Sequence, residues 1–106
     1  MAFKAAFLAH ASDAEPERDR SIIETSVYKL FTVVVKSQAQ AVEECKKLVE
    51  DEGIHSVLLC PGFSDKNVAE ITEAVGETVG VAVARGDSPG RRVPREVRIR
   101  AYTTDD

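Results

Sequence analysis

Apolar residues gather into short runs separated by charged stretches, and the spacing inside each run predicts its structure. Phe3 to Ala9 is compact and apolar apart from Lys4, without helical spacing, and predicts a buried strand. Tyr28 to Val35, rich in β-branched and aromatic residues, predicts another. Ile54 to Cys60 and Thr78 to Ala84 predict two more. Between them the period changes. Ser37-Gln38-Ala39-Gln40 matches a capping box, and Ala41, Val42, Cys45, Leu48 and Val49 then recur at three- and four-residue spacing. Glu43, Glu44, Lys46, Lys47 and Glu50 fall on the opposite face, and Gly53 suits a left-handed C-terminal stop. A second amphipathic helix is expected over Asp65 to Val75, capped by Ser64, with Val68, Ile71, Thr72 and Val75 on one side and Gly76 ending it.

Two segments read differently. Asp13 to Arg20 is polar with Pro16 near its start, and Arg18 to Thr25 predicts a short helix of about two turns. After a Gly/Pro/Arg loop over 86–94, Val97, Ile99 and Ala101 alternate with Arg98, Arg100 and Tyr102, the period of a strand with one wet face. Its arginines suit an edge, where charge blocks unwanted pairing. Near-continuous apolar strands are those of a parallel sheet covered on both faces. The order therefore predicts one three-layer α/β domain over residues 1–106, with a mainly parallel sheet of four strands, a C-terminal edge strand within 88–106, and helices on both faces.

Composition fits that picture. At 106 residues, 43% hydrophobic and 30% charged, the chain suits one globular domain, and without Trp its core must come from Val, Leu, Ile and Ala. The apolar run after Lys4 is too short for a secretory signal, and no stretch reaches the roughly 20 apolar residues of a membrane span, so a cytoplasmic setting without membrane association is expected. The net charge of −4 is uneven: residues 1–84 sum to −6 and residues 85–106 to +2. The arginines Arg91, Arg92, Arg95, Arg98 and Arg100 have little aromatic interleaving beyond Tyr102, which argues against nucleic acid. They fit pairing with an acidic surface of the chain or of a second copy, and a homo-oligomer formed through the C-terminal strand is expected.

The candidate chemistry sits where strands end. The predicted topology brings His10, Cys60 and Arg85 to one rim of the sheet, and ligands of α/β proteins bind at such carboxyl ends. The turn Cys60-Pro61-Gly62-Phe63-Ser64-Asp65 adds a flexible backbone and a helix N-terminus, a place where an anion is held by N–H groups and the helix dipole. Phe63 is a loop anchor or a pocket wall. Cys60 is either a nucleophile with His10 as base or a small apolar residue closing a strand. A cysteine-phosphatase loop is excluded, because the sixth residue after Cys60 is Lys66 where a bidentate Arg is needed. Cys45 and Cys60 lack metal-ligand spacing, and Asp13, Glu15, Glu17 and Asp19 lack that of a calcium loop, so no metal is expected. No cofactor signature is present. His55, at the opposite strand edge, is expected to have no role.

Phe3-Lys4-Ala5-Ala6-Phe7, the segment Pro16 to Thr25, Leu58-Leu59-Cys60-Pro61-Gly62-Phe63, and Val68 to Gly76 followed by Val79-Gly80-Val81 resemble a family of short bacterial and archaeal proteins described as a domain of unknown function. The resemblance implies a small α/β fold in a cytoplasmic setting and no established activity. The leading reading is a binding module for a small anionic metabolite, with Cys60, Gly62, Phe63, Ser64, Arg85 and His10 as ligand-binding residues. The alternatives are a small cysteine-dependent enzyme using Cys60 with His10, and an interaction protein that oligomerises.

Overall fold

A computed structural model describes residues 1–85, 96–97 and 99–101. Strands β1 (Phe3–His10), β2 (Arg20–Glu24) and β3 (Tyr28–Val35) come first, then helix α1 (Gln38–Glu52), β4 (Ser56–Leu59), α2 (Asp65–Val75) and β5 (Gly80–Val83). The sheet order is β2-β3-β1-β4-β5, parallel except for the antiparallel β2–β3 pair. A five-stranded, mostly parallel α/β domain is thus what the apolar runs encode.

Both helices form for the reasons their sequences give. The Ser37 hydroxyl accepts from the Gln40 N–H at 3.2 Å, while the Gln40 side chain accepts from the Lys36 N–H at 2.8 Å. Gly53 takes φ 65°, ψ 47°, and its N–H closes on the Val49 carbonyl, so a side chain there would be strained. Ser64 caps α2 in the same way through the Asn67 N–H at 3.2 Å.

Three expectations are corrected. Arg20–Glu24 is a strand, not part of a helix. The β-branched pair Ile22-Ile23 lies beside the free edge of β3, and Thr25 closes a hairpin by accepting from the Val27 and Tyr28 N–H groups at 3.2 and 3.0 Å. Residues 96, 97 and 99–101 are helical, so the described part of the C-terminal segment is not the expected edge strand, and the rest of that segment lies outside the described residues. The sheet's edges are instead β2 and β5.

The third correction concerns layers. The crossovers β3-α1-β4 and β4-α2-β5 run in the same direction across the sheet, and right-handed connections then put both helices on one side. Ala41, Cys45 and Leu48 of α1 and Ile71 and Val75 of α2 share one core with Leu8, Phe31, Val33, Val57 and Leu59. The sheet and its two long helices thus form two layers. On the side opposite α1 and α2, the register aligns Ile23, Leu30, Ala5, Ser56 and Gly80 in one row. Ser21, Thr32, Phe7, Leu58 and Ala82 form the next, with Phe3–Tyr28 and Ala9–Val34 at the ends.

The strands' charged residues all project to the helix side, where three of them tie down α1. Arg20 pairs with Glu44 at 2.9 Å, Lys29 with Glu52 at 3.3 Å, and the Lys4 ammonium donates to the Glu52 carbonyl at 2.7 Å. Glu44, expected on the wet face of α1, is therefore buried. No helix among the described residues is long and apolar enough to cross a membrane.

Candidate functional site

The carboxyl ends of β1, β4 and β5 bring His10, Cys60 and Arg85 to one rim, because all three strands run parallel. Cys60 leaves β4 with its N–H on the Leu8 carbonyl at 2.9 Å, and the Phe63 N–H returns to the Cys60 carbonyl at 3.2 Å. This tight turn drives Phe63 into the core, where it is 1% exposed. Its ring stacks on the His10 imidazole with centroids 3.9 Å apart and planes 28° from parallel. Phe63 is therefore an anchor that holds the turn against β1.

Gly62 sits where the thiol and the imidazole converge. A Cβ on Gly62 would lie 3.5 Å from Cys60 Sγ and 4.0 Å from His10 Nδ1. Burial lowers the His10 pKa from its ordinary value and favours the neutral ring, which can accept a proton only at reduced pH. Cys60 is partly exposed. Cys45 is different: burial first, and then the charge of Glu44, push its thiol up to about 12. That thiol is inert packing.

Arg85 reaches across from the end of β5. Its guanidinium donates to the Phe63 carbonyl and to Asp65 Oδ1, both at 3.1 Å. The Asp65 side chain is otherwise fully exposed. The arrangement sets a cation over the first turn of α2, with an exposed carboxylate as its counter-charge. Ser64 serves the helix cap, so its hydroxyl is engaged by the chain itself.

Asp65 is the residue the sequence reading passed over. An acidic side chain at a helix start favours the dipole, and a cation arriving at a neighbouring strand end is the signal that gives it a second partner. His55, at the other edge, accepts from the Lys4 N–H at 3.0 Å and stacks on Phe3 at 5.5 Å, a structural role. The acidic loop is likewise internally bonded. Asp19 accepts from the Glu15 N–H at 2.8 Å and from Arg18, and these bonds hold its carboxyl down at about 2. A cavity of about 320 Å³ opens between this loop and α1, lined by Pro16, Lys36, Gln40 and Glu44 among others, away from the Cys60 turn.

The fold and rim define a small α/β domain with a five-stranded, mostly parallel sheet and a strand-to-helix turn held by an arginine. The chain belongs to a family of unknown function (DUF6506), whose model matches residues 3–96. Comparison with curated proteins and with solved structures found no match.

Proposed function

We propose that this protein is a binding module that holds a small anionic ligand, a carboxylate or phosphate, at the rim formed by His10, Cys60, Gly62, Phe63, Ser64 and Arg85. The observation that supports the reading is the guanidinium of Arg85, fixed by the Phe63 carbonyl over the N-terminal turn of α2. A guanidinium presents paired donors to a carboxylate or phosphate, and a helix N-terminus adds a positive pole. Asp65 now occupies that cation, but its exposed side chain can swing into water at little cost. The incoming anion takes its place.

Titration calorimetry with inorganic phosphate and with a small dicarboxylate tests this. Saturable binding is expected, weakened at least about tenfold by Arg85→Gln and strengthened several-fold by Asp65→Asn, which removes the competing charge. Absence of binding by either anion, or binding indifferent to Arg85→Gln, rejects it.

A second reading rests on the convergence of Cys60 Sγ and His10 Nδ1 around Gly62. In it, Cys60 is a nucleophile and His10 its base. Iodoacetamide labelling against pH discriminates, with buried Cys45 as the unreactive internal reference. A Cys60 thiol that titrates near the free value of about 8.5 removes this reading.

A further inference from the structure

The side of the sheet opposite α1 and α2 has the composition of an interior. Not one of its positions is charged, although 30% of the chain's residues are. Phe3, Phe7, Ile23, Leu30 and Leu58 lie on it, and among them Phe3 is 45% exposed, Ile23 61% and Leu58 40%. A solvated sheet face alternates with the covered one by carrying the polar side chains. Here the alternation is reversed, since Lys4, Arg20, Glu24 and Lys29 all project to the helix side. A contiguous apolar face of this kind marks an interaction surface.

We infer that this face docks on the same face of a second copy, sheet against sheet. Charge singles out that occupant. The chain is acidic, with a net charge of −4, so two copies repel one another, and in an isologous contact the same patch is used twice. A patch without charge brings two copies together without setting like charges against each other, and this sheet face is such a patch. Size agrees. Five strands at about 4.8 Å spacing, of mean length about six residues at 3.3 Å each, present roughly 450 Å² in projection. Two copies bury about 900 Å² before side-chain relief is counted, just under the threshold of about 1,000 Å² for stable interfaces and in the range of weak, transient ones, which predicts a weak dimer that forms as concentration rises.

Sedimentation velocity from about 1 to 300 μM tests the inference. The expected result is a concentration-dependent rise to twice the 11.5 kDa chain mass. Leu58→Arg and Ala82→Arg, both at exposed positions, are expected to hold the protein monomeric while circular dichroism and the melting curve show it folded. Ile22→Arg, on the exposed edge strand but facing the helix side, is expected to leave the dimer intact. A monomer throughout the range overturns the inference, and in that case protection of Leu58 from hydroxyl radicals assigns the face to the chain's own remaining residues. A dimer broken by Ile22→Arg and not by Leu58→Arg also overturns it, in favour of edge pairing.

Discussion

The two faces of the sheet are made from the same strands yet meet opposite fates. One face is covered over its centre by α1 and α2 and carries every charged strand residue, three of them at the margins tied to α1 through Glu44 and Glu52. The other lies opposite α1 and α2 and carries no charged strand residue. The lesson is that charge is tolerated beneath a covering helix when a partner is built in, whereas the face proposed to meet a second copy holds none that would need one. The proposed anion site is separate, because Arg85 lies past the end of β5 at the rim.

Breaking the covered face should cost most. Phe31→Ala removes a side chain only 2% exposed from the centre of the core and should cost about 3–5 kcal/mol in urea unfolding. Leu58→Ala on the bare face should cost under about 1 kcal/mol when the protein is dilute, with a penalty that grows with protein concentration. Equal penalties at all concentrations would erase the distinction between the faces.

The ion pairs sharpen it next. Arg20→Ala leaves the Glu44 carboxylate buried without its guanidinium; because the Arg20 side chain is 34% exposed and water can enter, the expected loss is about 1–2 kcal/mol, read by chemical denaturation. Ser37→Ala, which uncaps α1 on the covered side, should cost about 1 kcal/mol by the same measurement.

The smallest effect is a pH slope from the rim. Burial lowers the His10 pKa below 6.5, so the unfolded chain takes up a proton before the folded one does. That contribution is present above pH 6.5 and lost as pH falls through it. Urea midpoints at pH 7.5 and 5.5 should differ less in His10→Gln than in the parent.

Much of this was legible in the residues. The capping box at Ser37, the stop at Gly53 and the cap at Ser64 are local signals, and both helices lie where those signals put them. The rim was legible too, since parallel strands deliver their carboxyl ends to one edge. What failed was non-local. Ile22 and Ile23 form a strand because they pair with Phe31 and Leu30 of β3, a partner beyond the reach of the helical spacing read over Arg18 to Thr25. Alternation over Val97, Ile99 and Ala101 read as a strand, but Glu, Arg and Ala also favour helix, and the described residues there are helical. The apolar character of both sheet faces was read correctly, and its cause was misassigned. It predicted helices on both sides, while the direction of the crossovers puts α1 and α2 on one, and the opposite face is the one proposed to dock a second copy.

Hydroxyl-radical footprinting across a dilution series tests that assignment most directly. Leu58, Phe7 and Ile23 should be protected at about 300 μM and become reactive on dilution to about 1 μM, while Val27, exposed in the β2–β3 turn, should react equally throughout. Reactivity of Leu58, Phe7 and Ile23 that is the same at every concentration would contradict it.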